Sequence, residues 1–273
     1  MIAQDNTIIH SLWIGKTLSV IELLTLKSFI GNGHTFQLWV YEPLETVLPE
    51  EVVLCDANTI VPKELVFSYK NTNKYGHGKG SVAGFSDIFR YKLLYEKGGW
   101  WVDMDVTCLK PFNTNSPYFF RNHHELKVVG NVMKCPPKSE LMWKCYQEAI
   151  ATVDEHNTDW HKPIEILNTA IAALGLEEFI NHGVSNPDQW DITSRLVQNA
   201  EPIPAQWSFI HWQNEEWRSR NVSKSFFYYK STLAVLLHRY DLITLPSSFW
   251  GKAMNKLKHQ GFFKTINSRH ITR

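Results

Sequence analysis

The sequence predicts an α/β protein built on a mostly parallel, Rossmann-like sheet, with a more helical and irregular C-terminal half. Three observations carry that reading. The N-terminal third alternates β-branched or apolar runs with helical stretches, and such repeats lay strands parallel with helices packed on them. A Gly-Gly pair at 98–99 stops one helical stretch and opens a strand at once. The composition, 44% hydrophobic and 20% charged over 273 residues, is that of a folded globular chain.

The elements follow in order. Residues 7–14 are a β-branched and apolar run closed by Gly15, the first strand. Ser19 with Glu22 three residues on is a capping box, and Ile21, Leu24, Leu26 and Phe29 suit the helix it opens. Gly31-Asn32-Gly33 ends that helix. Residues 35–41, with Phe36, Leu38 and Val40 on one face, and residues 52–55 read as the second and third strands. A polar loop at 68–80 carries Gly76, Gly78 and Gly80, whose freedom permits closure over a ligand. Residues 81–97 read as a helix with Val82, Phe85, Ile88 and Phe89 at helical spacing, and the next strand starts at Trp100-Trp101-Val102. Beyond Pro111 the pattern loosens to helices near 138–153 and 163–175, a polar segment at 181–191 and short aromatic-rich pieces. Without repeat or low-complexity linker, residues 1–273 read as one domain. Its parts are a core at 1–112, a segment at 113–240 that holds the remaining core, and a basic aromatic tail at 241–273.

Composition narrows the function. Lys+Arg 28 against Asp+Glu 27 leaves a net charge of +1, so no whole-chain argument points to nucleic acid. No run of 18 apolar residues exists, and Gln4, Asp5 and Asn6 stand where an export signal is apolar; the expectation is a cytoplasmic protein. Cys55, Cys108, Cys135 and Cys145 contain no C-x-x-C spacing and read as reduced, mostly buried thiols.

The chemistry concentrates between Ser86 and Val106. Asp87 and Arg90 are three apart and share a helix face. An exposed pair of this kind contributes only about 0.5 kcal/mol, little reason by itself to place both there. Asp103 and Asp105, two apart on a strand, point the same way. Adjacent carboxylates repel unless a cation lies near, and oxygen ligands at a strand end suit Mg²⁺ or Mn²⁺, ions that commonly bridge nucleotide phosphates.

This stretch resembles the signature of DXD-containing sugar transferases of the GT-A fold, most closely glycosyltransferase family 32 and its relatives among capsule and lipopolysaccharide enzymes and clostridial glucosylating toxins. Ala83, Ser86, Asp87, Arg90, Tyr91, Gly98, Gly99, Asp103 and Asp105 stand at the family spacing, and residues 9–15 are similar to its opening strand. The resemblance covers residues 7–112. It implies a nucleotide-sugar donor, UDP-linked by preference and bearing a hexose or N-acetylhexosamine, with Mn²⁺ or Mg²⁺ and retention of anomeric configuration. His10, Trp13 and Ile14 are implied at the donor base, with Trp13 alternatively core. Ala83, Asp87, Arg90 and Tyr91 are implied along ribose, sugar and diphosphate, and Asn131 at the donor sugar or in a turn. Asp103 is implied to reach ribose and metal, and Asp105 the metal directly. Asp103, Asp105 and Arg90 are the essential residues, and no catalytic nucleophile is assigned. By analogy the acceptor is a glycan or lipid-linked hydroxyl in bacterial surface polysaccharide synthesis.

For a third metal ligand from a C-terminal strand end the resemblance offers His238, with His211 as second choice. Trp207, Trp212, Trp217 and Trp250 crowd a short region and are either core or platforms for a pyranose face; Trp212 and Trp217 are the acceptor candidates. No acidic residue follows Asp241, whereas Lys252, Lys256, Lys258, Lys264, Arg269 and Arg273 do. With the apolar stripe Trp250, Ala253, Met254 and Leu257, the 250–273 tail suits peripheral contact with an anionic membrane, or a packed helix with a basic side. Residues 102–107 also match the nucleophile motif of haloacid-dehalogenase-type phosphatases, with Asp103 as nucleophile and Asp105 as acid/base, but no Asp-Asp pair follows. A non-catalytic sugar-binding protein is the third reading.

Overall fold

A computed structural model describes residues 2, 6–73, 76–224, 228–248 and 250–255. The strands β1 (Ile8–Trp13), β2 (Thr35–Val40), β3 (Val53–Asp56) and β4 (Gly99–Val102) alternate with helices α1 (Val20–Gly31) and α2 (Ala83–Lys97). They form one half of a seven-stranded sheet in which β3, β2, β1 and β4 are all parallel. Strands β6 (Phe119–His123), β7 (Lys127–Cys135) and β8 (Ile180–Asn181) complete it, β7 running antiparallel to both β4 and β6. A separate ribbon pairs β5 (Val106–Cys108) with β9 (Phe209–His211). The remaining helices are α3 (Glu140–Thr152), α4 (Lys162–Ala173), α5 (Trp190–Gln198), α6 (Asn214–Ser219) and α7 (Thr232–Arg239). This is the mostly parallel α/β architecture expected of the GT-A fold.

Two faces of the sheet build two cores. Phe85, Phe89, Trp101, Met133 and Leu141 pack α2 and α3 on one face, and Ile9, Leu26, Phe29, Phe36 and Trp100 pack α1 on the other. Helix α1 is buried on further sides because Ile21 and Leu24 meet a third cluster, around Trp212, Trp217 and Leu233. The capping box is present: Ser19 accepts from the Ile21 amide, and Glu22 accepts from the Ser19 amide at 2.7 Å. Gly98 (φ +65) and Gly99 (φ +84) turn α2 directly into β4, and a Cβ on Gly98 would lie 2.5 Å from the Pro137 ring. All four cysteines are free, with Cys108, Cys135 and Cys145 buried. Among the described residues no helix is long and apolar enough to cross a membrane.

Two expectations are corrected. Strand β4 ends at Val102, so Asp103-Met104-Asp105 is a turn rather than part of a strand, and β5 then leaves the sheet for β9. Thr232–Arg239 form helix α7, capped by the Ser231 side chain, so His238 lies in a helix and not at a strand end. The tail beyond residue 255, including Lys256, Leu257, Lys258, Lys264, Arg269 and Arg273, lies outside the described residues; Trp250 and Met254 are exposed.

Candidate active site

The carboxyl ends of β1 and β4 open into a cleft of about 1260 Å³, where ligands of parallel sheets sit. One wall is built locally. Arg90, projecting from α2, lies 2.8 Å from Asp87 Oδ1 and donates through Nη2 to Asp103 Oδ1 at 2.8 Å. Its guanidinium stacks 5.0 Å from the Trp101 ring, and Trp101 Nε1 donates to the same Asp103 oxygen at 2.7 Å. Gly130 of β7 makes room for it, since a Cβ there would lie 2.1 Å from Arg90 Nη1. Burial pushes the Asp87 carboxyl up to about 6 against the pull of Arg90. Burial likewise raises Asp103, opposed by Arg90 and helped by Asp105.

The other wall is assembled from distant segments. Asp105 Oδ2 accepts from the Asn214 amide at 2.6 Å and lies 3.3 Å from His211 Nε2. His211 Nδ1 is 2.7 Å from Asp188 Oδ1, and Asp188 receives both Nη1 and Nη2 of buried Arg121 at 2.7 and 2.8 Å. Burial lowers His211, but Asp188 and Asp105 outweigh it and push its pKa up to about 10, so the ring is an imidazolium between two carboxylates. Asp105 and Asp188 are held below the usual carboxylate range despite burial, in both cases chiefly by His211. Asn214 also donates its side-chain amide to Glu22 Oε1 at 3.1 Å, and Lys224 Nζ donates to the same oxygen at 2.6 Å. The preceding Gln213 sits at φ 59, a left-handed backbone that aims the Asn214 amide at Asp105.

Of the loop expected at 68–80, Tyr69, His77 and Gly80 line the cleft. The Gly78 amide donates to Glu215 Oε1 at 3.0 Å, Arg218 donates to the Lys79 carbonyl at 2.7 Å, and His77 Nε2 lies 3.3 Å from Glu216. All three anchors sit on α6, the helix that begins with Asn214.

Trp13, Ile14, Ala83, Asp87, Arg90, Asp103, Asp105, Asn131 and His211 line this cleft. Four other sequence assignments are corrected. His10 is buried in the sheet, its Nδ1 accepting from Trp39 Nε1 at 3.2 Å. Tyr91 is buried and commits its hydroxyl to the Pro163 carbonyl at 2.9 Å. His238 is exposed on α7, with Nδ1 3.2 Å from the Ile243 carbonyl, because Thr232–Arg239 are helical; it is His211 that reaches Asp105. Trp212 and Trp217 are fully buried and commit their indole N–H groups to Thr107 and the Trp212 carbonyl, which leaves no face for a sugar. Sequence reasoning missed Arg121, Asp188 and Asn214, and the bonds that Glu22 makes to Asn214 and Lys224. An arginine inside the apolar run of β6 was a signal that a buried carboxylate must answer it; nothing in the sequence said it was Asp188.

A divalent cation fits the turn in part. Asp103 Oδ2 and Asp105 Oδ1 have no hydrogen-bond partner among the described residues, so each carboxylate keeps one hard oxygen for a metal. No group of three or more His, Cys, Asp or Glu residues arranged for a metal ion occurs among the described residues. Unpartnered donors and acceptors also face this region: buried Asn131 satisfies neither amide atom, and Trp13 Nε1 has no acceptor.

Residues 44–120 match the family model described as glycosyltransferase sugar-binding region containing DXD motif. No protein of curated function matches the chain. Among solved structures, one described as PaToxG Glycosyltransferase is similar at 15% identity, over 62% of this chain and 68% of that one, with a TM-score of 0.45. A transferase solved as a double cysteine-to-serine mutant aligns at 10% identity, over 64% of this chain and 86% of that one, with a TM-score of 0.42. Likenesses this loose carry no weight for function; the match that includes Asp103 and Asp105 does. The DXD turn that organises the cleft lies inside this match to a glycosyltransferase sugar-binding region, which supports a transferase enzyme.

Proposed function

We propose that the chain moves a hexose or N-acetylhexosamine from a nucleoside diphosphate sugar, UDP-linked by preference, to a hydroxyl of a glycan or lipid-linked acceptor, with retention at the anomeric carbon. The observation that carries this reading is the pairing of two carboxylates, each with an uncommitted oxygen, beside an arginine at a parallel-sheet cleft. Asp103 and Asp105 would hold Mn²⁺ or Mg²⁺, which supplies electrostatic stabilisation to the departing diphosphate. Arg90, fixed on both sides by carboxylates, adds positive charge that needs no reorganisation as the sugar–phosphate bond breaks. Trp13 and Ile14 face the base, and the unpartnered Asn131 amide suits a sugar hydroxyl. The acceptor hydroxyl attacks the face that the diphosphate leaves, its proton passes to the leaving phosphate oxygen, and no side-chain nucleophile is required. With both ring nitrogens turned to carboxylates, His211 acts as charge partner of Asp105; ligation of a metal would require it to lose its proton.

The phosphatase alternative explains neither the Asp87–Arg90–Asp103 array nor the family match across the DXD turn. A role in bacterial surface polysaccharide synthesis and contact of the 250–273 tail with anionic membrane rest on analogy and on the exposed Trp250 and Met254 beside Lys252. Co-sedimentation with anionic vesicles, compared with neutral ones, tests that contact. The transfer reading is tested by incubating the chain with a panel of nucleoside diphosphate sugars and Mn²⁺. Release of one nucleoside diphosphate, stopped by EDTA, is expected; release of inorganic phosphate alone would favour the phosphatase.

A further inference from the structure

The arginines of the cleft each answer a carboxylate of their own. Arg90 answers both Asp87 and Asp103, so that array carries more negative than positive groups. Arg218 is forked onto Glu215 and bonded to the Lys79 carbonyl, and Arg220 is bonded to Glu216 with its guanidinium 5.2 Å from the Trp190 ring. Arg121 is buried against Asp188. Lys224 differs. Its ammonium has three hydrogens, and one contact, 2.6 Å to Glu22 Oε1, is its bond among the described residues. The side chain is 20% exposed and lines the cleft, whereas Glu22 is 1% exposed.

Glu22 is itself immobile. One oxygen accepts from the Ser19 amide in the capping box, and the other accepts from Asn214, whose backbone amide holds Asp105. A continuous set of contacts, Asp105 to Asn214 to Glu22 to Lys224, therefore places the ammonium at a fixed step from the DXD turn. Neutralising Glu22 alone would not require a cation that opens onto the cleft; the amides already satisfy that carboxylate in part.

We propose that Lys224 binds the diphosphate of the donor, with Glu22 as the fixed post that presents its ammonium in the cleft. The inference rests on the transferase reading and adds a second basic group to Arg90. A charge-assisted bond from ammonium to phosphate oxygen leaves the Glu22 contact in place, because the other two hydrogens are free to make it.

The test is the affinity of the nucleoside diphosphate that wild type prefers, taken from UDP and GDP, and of its parent nucleoside, both with Mn²⁺. In Lys224→Met the diphosphate should bind about tenfold more weakly or worse, the loss of one charge-assisted bond, while the nucleoside binds as before. Lys224→Arg should recover most of the difference. Lys224→Met leaves Glu22 without its cation, so the double variant Glu22→Gln with Lys224→Met removes both charges and should show the same diphosphate-selective loss. Equal diphosphate affinity in these variants and wild type, or an equal loss for nucleoside and diphosphate, would overturn the role of Lys224 while leaving the transferase reading standing. If wild type binds neither diphosphate, the transferase reading falls and takes this inference with it.

Discussion

The two walls of the cleft set aspartates against cations in opposite ways. On one wall Asp87, Arg90, Trp101 and Asp103 lie within seventeen consecutive residues, and a single helix-to-strand turn brings them together. On the other wall Asp105, Arg121, Asp188 and the pair His211 and Asn214 come from four separated segments, and each needs the others to be in place. The neighbouring carboxylates Asp103 and Asp105 are shared out between the walls. The local wall holds a rigid, pre-paired arginine; the assembled wall fixes the C-terminal half onto the DXD turn. The difference implies that damage to the first should show mainly in turnover, and damage to the second strongly in folding as well.

The sharpest break is Asp105→Asn, which removes the carboxylate charge on the uncommitted oxygen and the anion that His211 and Asn214 answer. Transfer should fall by at least about 100-fold in a donor-turnover assay. A native circular-dichroism spectrum with retained turnover would dissociate the turn from the chemistry.

Arg121→Met addresses the assembled wall alone. It leaves Asp188 buried with His211 as its cation, and breaking a buried pair in this way costs about 3–5 kcal/mol, read as a lowered urea midpoint. A neutral effect would mean that β6 and the segment carrying Asp188 are held by packing and not by charge.

Gly130→Ala tests the local wall with smaller force. The new Cβ meets Arg90 Nη1, and the guanidinium cannot retreat without leaving a carboxylate, so donor turnover should drop about tenfold, with about 1–3 kcal/mol of stability lost to overpacking.

Titration of the metal-free protein gives the finest separation, because two buried histidines carry opposite signs. His211, folded pKa about 10 against 6.5, contributes stability that is complete below pH 6.5 and lost as pH rises through 10. His10, lowered by burial to about 4, contributes stability present above pH 6.5 and lost as pH falls toward 4. Each slope is bounded by about 1.4 kcal/mol per pH unit. In EDTA, His211→Gln should flatten the alkaline limb of a thermal-unfolding profile and His10→Gln the acidic limb; unchanged limbs would contradict an imidazolium at 211 and a neutral ring at 10.

The same contrast explains what the sequence disclosed. The local wall is legible because helix spacing and the Gly-Gly breaker fix which of its residues can meet: Asp87 with Arg90, and Asp103 just beyond Trp101. The turn at 103–105 reads as strand because D-x-D alternation alone does not distinguish the two; the Asp103 amide still bonds the Asn131 carbonyl in the β4–β7 register, and the chain turns away only after it. A motif likeness favours His238 over His211, yet the chain from 231 to 238 has a Ser cap and buried Leu233, Leu236 and Leu237 at helical spacing, which is readable. Asp188 is not readable, since a carboxylate in a polar segment announces no partner 67 residues away. Tryptophans 212 and 217 follow the general preference for burial rather than ligand stacking.

The most direct test of a metal-bridged donor site on the DXD turn is the binding of UDP and GDP to wild type and Asp105→Asn, each with Mn²⁺ and with EDTA, by calorimetry. Wild type should bind one nucleoside diphosphate far more tightly with Mn²⁺ than with EDTA, and Asp105→Asn should lose this gain while remaining folded. Binding that is indifferent to Mn²⁺ in wild type, or a metal gain that survives in Asp105→Asn, would contradict such a site.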